Sequence, residues 1–159
     1  MKINYKAEII ENKKIADETY MITLNAPDIA ENAIPGQFVH IKIPRDSSLL
    51  LRRPISINSA DKLEGKITLV YQKVGRGTRV LSSLKPNEIE LDLIGPLGNG
   101  YKVPKNVKKL CLVGGGCGVA PLKFAAQKWT GLDITAYLGF RNKSAAYQIE
   151  DIKNLCNQV

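Results

Sequence analysis

Lys109-Leu110-Cys111-Leu112-Val113-Gly114-Gly115-Gly116-Cys117-Gly118-Val119-Ala120-Pro121-Leu122 divides the 159-residue chain into two unlike parts. Residues 109–113 are a short apolar run, the pattern of a strand buried on both faces. A glycine loop over 114–118 follows, and 119–129 can form a helix. Pro121 falls in its first turn, where a missing N–H costs little. A second strand is expected over 133–140 and a second helix over 144–156, with Ser144 as a candidate N-cap. Strand, loop, helix, strand, helix is the opening of a parallel, doubly wound sheet.

Upstream the period changes. Short runs rich in Val, Ile, Thr and Tyr predict strands over 6–13, 19–25, 38–43, 54–59, 66–72 and 89–94. Pro35-Gly36, Arg45-Asp46-Ser47-Ser48, Glu64-Gly65 and Lys85-Pro86-Asn87 separate them as turns. Six strands with one brief helix predict an all-β, six-stranded antiparallel barrel, because closure removes exposed edges. The chain therefore reads as a barrel over 1–101 and the first part of an α/β parallel-sheet domain over 102–159, joined by a linker over 100–106. No repeat or low-complexity segment interrupts it.

Composition excludes several classes. With 44% hydrophobic and 24% charged residues the chain is neither disordered nor membrane-like. No run approaches the ~18 apolar residues of a membrane-spanning helix. The first residues, MKINYKAEIIENKK, lack the apolar core of a secretory signal, so a cytoplasmic location is expected. Cys111, Cys117 and Cys156 form no C-x-x-C pair, which argues against a disulfide scaffold or a metal site and fits a reducing compartment. The single histidine, His40, reads as a strand-end residue rather than a catalyst, and no catalytic side chain is assigned. Twenty-three basic residues against 15 acidic ones give a net charge of +8. They are spread along the chain and aromatic residues are only 6%, so nucleic-acid binding is not expected.

Three segments carry candidate chemistry. In Leu51-Arg52-Arg53-Pro54-Ile55-Ser56-Ile57, Pro54 marks a strand entry or edge. An arginine beside it can leave the barrel and fork onto a phosphate, with Ser56 two residues on. The plain alternative is a pair of surface arginines flanking a buried strand. In Gly75-Arg76-Gly77-Thr78-Arg79-Val80-Leu81, glycines before an apolar run suggest a helix start whose backbone N–H groups face an anion; the alternative is an ordinary capped turn. In the glycine loop, a strand before and a helix after allow a dinucleotide pyrophosphate to approach the backbone, or make a tight turn with no ligand.

Together these residues carry a resemblance. Pro35-Gly36-Gln37-Phe38, Arg53-Pro54-Ile55-Ser56, Gly77-Thr78, Gly95-Pro96-Leu97-Gly98-Asn99-Gly100 and the loop from Gly114 to Leu122 follow the order of the ferredoxin–NADP reductase superfamily. Within it, Leu50-Leu51-Arg52-Arg53-Pro54-Ile55-Ser56-Ile57 and Gly95-Pro96-Leu97-Gly98-Asn99-Gly100 are most similar to the electron-transfer subunits of two-subunit bacterial dihydroorotate dehydrogenases. The resemblance covers the whole chain.

It implies a barrel that binds FAD, a following domain that binds NAD(H), and electrons passed singly through a [2Fe–2S] cluster to an FMN-containing dehydrogenase subunit. Carried over by position, Arg53, Pro54, Ile55 and Ser56 would line FAD, Arg53 at its pyrophosphate and Ser56 near its ring system. Val70, Tyr71 and Gln72 match the second flavin strand, and Gly77 and Thr78 the pyrophosphate-binding helix start. Gly114, Gly115, Gly116 and Gly118 would carry the NAD pyrophosphate. Ile55 stands where the wider superfamily often has tyrosine, so apolar packing must replace stacking there. The family continues beyond the second helix and adds four cluster cysteines. The present chain is therefore expected to carry an incomplete NAD-binding domain and no cluster, with the 133–140 strand lacking its next neighbours, to be reduced only slowly by NADH, and to be open to dimerisation across the bare edge. Another reductase of the superfamily, or a non-catalytic basic barrel that binds a partner, are the competing readings.

Overall fold

A computed structural model describes residues 3–46 and 48–159, with side chains from Tyr5 onward. Met1, Lys2 and Ser47, the last in the expected 45–48 turn, lie outside the described residues. Six antiparallel strands close a barrel: β1 (Ile3–Ala16), β2 (Thr19–Asn25), β3 (Phe38–Ile41), β4 (Arg53–Asp61), β5 (Lys66–Gln72) and β6 (Glu90–Leu97), in the order β1-β2-β5-β4-β3-β6. Inward positions alternate along the strands, as with buried Ile22 and Leu24 on β2 and Ile67 and Leu69 on β5. Each such side chain contributes roughly 1.5–3 kcal/mol through burial.

β1 is longer than the expected 6–13 because it serves two neighbours. Its first half pairs with β6 from Ile3 to Glu8, and its second half with β2 from Glu8 to Ala16. A register shift between Ile9 and Glu11 turns the corner, as strands of closed barrels do. The residues beyond the expected strand are 3–5, recruited by pairing with β6, and 14–16, recruited by pairing with β2. β3 stops at Ile41 rather than at 43, just before Pro44, which cannot donate to a ladder. A short helix not anticipated from sequence, α1 (Pro27–Asn32), buries Ile29 and Ala30 in the barrel core. Helix α2 (Arg76–Ser83) links β5 to β6. The two glycine motifs clasp each other: Tyr101 N–H donates to Pro35 O at 2.7 Å, and Gln37 Nε2 to Gly98 O at 2.8 Å.

Beyond an irregular stretch over 98–108, β7 (Lys109–Gly115) and β8 (Asp133–Gly139) pair in parallel. A single 3₁₀ turn, Gly116–Val119, leads from β7 into α3 (Ala120–Lys128). The predicted helix over 144–156 is broken. A 3₁₀ turn occupies Lys143–Ala145, and α4 is only Ile149–Lys153. Asn142, not Ser144, caps the turn by accepting from Ala145 N–H at 2.9 Å, and Ser144 Oγ donates to Asn142 Oδ1. Tertiary contacts override helix propensity here. Tyr147 is buried, and Gln148 takes a left-handed φ of 55° that turns its side chain onto the barrel. After α4 the chain returns to β8, where Asn157 and Gln158 hydrogen-bond to Ile134 and Ala136 and Gln158 forms a parallel bridge with Thr135. The outer edge of β8 is thus covered at Ile134–Ala136, while the sheet has no strand beyond β8 among the described residues, as the sequence leads one to expect.

Asn58 joins the two units. It is the extra residue of a bulge in β4, between the pairs Ile57↔Leu69 and Ser59↔Thr68, and is fully buried. Its amide donates to Ala120 O at 2.7 Å and to Gln148 Oε1 at 2.8 Å, and accepts from Thr68 Oγ1 and Gln148 Nε2 at 3.0 Å each. A fully satisfied buried amide of this kind specifies one arrangement of its neighbours. The apolar cores also interleave, with Phe124 of α3 in the barrel cluster and Val70 of β5 in the other.

Candidate functional site at a fork between two barrel strands

The site begins where β4 and β5 part. Their ladder runs only from Asp61↔Lys66 to Ile57↔Leu69. Beyond it, Arg53–Ser56 stays paired with β3, and Val70–Gln72 with β2. Each strand keeps one hydrogen-bonded neighbour, so the fork opens without orphaned backbone groups on that side. A cavity of about 310 Å³ fills it, lined by Arg53, Pro54, Ile55, Ser56, Val70, Tyr71, Gln72, Val74, Thr78 and Cys117. All seven strand residues predicted from the resemblance meet here, with Thr78. Val74 and Cys117 were missed. The signal for Val74 was an apolar residue at a strand exit; for Cys117, a side chain within a run of glycines.

Arg52, just before β4, and Arg53, its first residue, turn their side chains to different neighbours. Arg52 turns to β6 and donates to the carboxylate of Asp92 at 2.8 Å and to its carbonyl at 3.0 Å. Arg53 turns to α2 and also donates to Leu51 O. A Cβ at Gly77 would lie 2.7 Å from Arg53 Nε, so only glycine lets the guanidinium lie against the helix. Gly77 thus enters the site beneath Arg53 rather than by lining the cavity.

The N-cap of α2 is Gly75, which has no side chain to accept from the first turn. Thr78 Oγ1 accepts from Val74 and Gly75 N–H groups at 3.1 Å and donates to Gly75 O at 3.2 Å, so the hydroxyl closes the loop. What α2 can offer an anion is its first backbone N–H groups, which have no partner within a helix. Arg76 leans outward onto Asp46 at 2.8 Å. Ser48 and Arg76 together hold the Asp46 carboxyl below the ordinary range. Burial pushes the Tyr71 hydroxyl and the Cys117 thiol up, keeping both protonated near neutrality.

The four glycines of the loop play different parts. A Cβ at Gly114 would meet Leu122 Cδ1 at 2.7 Å and Gly118 O at 2.8 Å, so Gly114 allows β7 and α3 to approach. Gly116 has a φ of 51°, and its carbonyl accepts from Tyr147 Oη at 2.9 Å. It lines a second, more polar cavity of about 490 Å³ with Gln72, Lys73, Val74 and Arg141 among its other walls. A Cβ at Gly118 would meet open space, and at Gly115 only the carbonyl of Gly139 at 3.8 Å. Gln72 and Val74 are shared by both cavities, which therefore adjoin at the glycine loop. His40 lies outside the cavity lining, its ring 5.4 Å from that of Phe38.

No protein-family model matches the chain. It is 39% identical over 141 residues to the dihydroorotate dehydrogenase B (NAD(+)) electron transfer subunit of Desulforamulus reducens, covering 87% of this chain and 53% of that protein. To the subunit of the same name from Geobacillus kaustophilus it is 38% identical over 148 residues, covering 90% and 57%. The chain thus spans little more than half the length of the curated relatives it matches. Among solved structures, a chain of the NADH-dependent reduced ferredoxin-NADP oxidoreductase of flavin-based electron bifurcation superposes with a TM-score of 0.84 at 31% identity, covering 96% of this chain and 55% of that one. The molecule therefore has the fold of the ferredoxin–NADP reductase-like proteins, and in sequence it is a relative of the electron transfer subunits of dihydroorotate dehydrogenase B.

Proposed function

We propose that the fork between β4 and β5 holds FAD, and that the chain is the flavin-binding part of an NAD-linked electron-transfer subunit. The observation that carries this reading is the pairing of two surfaces in one cavity. Pro54, Ile55, Val70 and Val74 offer an apolar slot for a planar ring system, and Arg53 over the start of α2 offers an anion corner. Bound FAD would supply the exchange between a two-electron hydride donor and one-electron acceptors. The protein's part is to bind, orient and exclude water. Arg53 and the first N–H groups of α2 would hold the pyrophosphate, and Ile55 and Val70 would flank the ring. Residues 1–101 would form the flavin unit and 102–159 the first part of the nucleotide unit, with Gly114, Gly115, Gly116 and Gly118 on the NAD(H) side.

The partner we infer is an FMN-containing dihydroorotate dehydrogenase subunit in the cytoplasm, on the strength of the relatives' names and the three unpaired cysteines. A [2Fe–2S] cluster does not fit the residues present. Among the described residues no group of three or more potential metal ligands comes together, whereas such a cluster is held by four cysteine thiolates. The test is the visible spectrum of the purified chain, with bands near about 375 and about 450 nm expected from a bound flavin. Chromatography of the heat-released flavin should give FAD. A colourless protein that takes up no FAD, or one that releases FMN alone, ends this reading.

A further inference from the structure

We propose that Asn12, at the C-terminal end of α2, is the positioning residue that sets α2 against the flavin phosphates, and that the Tyr71 hydroxyl serves this task rather than proton transfer. The inference rests on the FAD reading above.

Asn12 lies on β1, opposite Ile22 of β2. Its Nδ2 donates to both Leu81 O and Leu84 O, each at 2.9 Å. These are carbonyls of the last turn of α2 and its C-cap; Leu81 O also accepts the C-cap N–H of Leu84 at 3.3 Å, and Asn12 adds a second donor there. Asn12 Oδ1 accepts from Tyr71 Oη at 3.0 Å. Both amide hydrogens and the amide oxygen are thus engaged, with partners 59 to 72 residues away. An asparagine is an unfavoured choice within a strand, and here it is committed to a helix end.

The geometry makes this grip matter at the other end. α2 has eight residues, a rigid rod about 12 Å long at 1.5 Å per residue. Leu81 and Leu84 are buried beside Asn12, and the opposite end carries Gly77 under Arg53 and Thr78 at the cavity wall. The Arg53 guanidinium lies against Gly77 in space that a Cβ there would occupy, so a tilt of α2 moves the surface on which the guanidinium rests. Tyr71 completes the link. It lines the cavity, yet its hydroxyl points away to Asn12, with the Tyr20 ring stacked on it at 5.9 Å. A residue placed like this changes affinity for the phosphate end of a ligand and leaves the ring end alone.

The experiment compares FAD with riboflavin, which has the ring but no phosphate. Flavin-fluorescence titrations are made with the full chain, with Asn12→Ala and with Tyr71→Phe. Asn12→Ala should weaken FAD by about tenfold and riboflavin by less than about twofold, and Tyr71→Phe should shift the same ratio by about threefold. If Asn12→Ala does not fold by circular dichroism, Tyr71→Phe carries the test, since it keeps the ring and removes only the hydroxyl. Equal losses for FAD and riboflavin would reduce Asn12 to a purely structural role and overturn the proposal, as would an unchanged ratio in both variants. A parent chain that binds neither flavin removes the FAD reading and this inference together. A parent that binds FAD while the ratio stays fixed removes the inference alone.

Discussion

The barrel and the β7–β8 sheet solve the problem of strand edges differently, and the site follows from that difference. In the barrel each strand has two neighbours, so β4 and β5 can part at one end and still keep a ladder each. The opening exposes side chains of both strands, and the site is built from side-chain chemistry: a guanidinium, small apolar walls, a tyrosine ring. β7, in contrast, pairs with β8 alone among the described residues, and the outer face of this sheet leaves Cys111, Val113 and Tyr137 exposed. Parallel sheets are ordinarily covered on both faces. What this unit brings to the site is mainly backbone, through a glycine loop whose cysteine alone reaches the first cavity. A closed layer can afford a gap, whereas a two-stranded layer contributes only at its loop.

The contrast can be broken at its strongest point by core truncation. Ile22→Ala, in the fully buried barrel interior, should cost about 2–5 kcal/mol, against less than about 0.5 kcal/mol for Val113→Ala on the open face. Urea unfolding of both variants checks this, and comparable losses would mean that the β7 face is covered in solution. Next, Arg53→Ala should weaken FAD binding by roughly tenfold to a hundredfold, the loss of a charge-assisted phosphate contact worth about 1.5–3 kcal/mol. Arg45→Ala, which removes only an exposed pair with Glu88, should leave affinity unchanged in the same titration. Equal affinities would take Arg53 out of the site.

Glycine-to-alanine changes sharpen the comparison within the loop. Gly114→Ala places a methyl against Leu122 and the Gly118 carbonyl and should destabilise the chain by about 1–3 kcal/mol; Gly118→Ala, facing open space, should fall within about 0.5 kcal/mol. Thermal unfolding of the pair decides whether strand–helix approach is what fixes Gly114. The smallest effect concerns pH. Asp46 and Glu88 have carboxyls held low, Asp46 by Ser48 and Arg76 and Glu88 by Arg45 and the Lys85 N–H. The native state then binds fewer protons than the unfolded one. Their modest stabilisation is complete above the ordinary carboxylate values and is lost as pH falls through the lowered ones. In the cavity, Tyr71 and Cys117 are both pushed up, so FAD affinity should be flat from about pH 6 to about pH 8. A step within that range would point to a group outside the fork.

Much of this was readable in the order of residues. Alternation along 19–25 and 66–72 marked β2 and β5 to the residue, because half-buried strands repeat with period two. The cavity walls from Arg53 to Ser56 and from Val70 to Gln72 could be named because motif spacing carried a known arrangement onto them. The break of the 144–156 helix could not, since nothing local forbids a helix there. The cause is Gln148 reaching Asn58 across 90 residues. Asn58 itself looks like an ordinary strand polar residue until the bulge re-aims it.

Periodicity, turn residues and the glycine run are local signals, set by backbone sterics and by which faces meet water, and they established the barrel and the parallel unit. Which polar side chains hold the pieces in place was decided only by the folded chain. Asn12 meets Tyr71 and the end of α2, Arg52 and Arg53 separate toward β6 and α2, and Cys117 comes to lie over the fork. The physical reason is that a hydrogen bond or a close packing contact depends on distance and direction in space, and neither leaves a periodic mark along the chain.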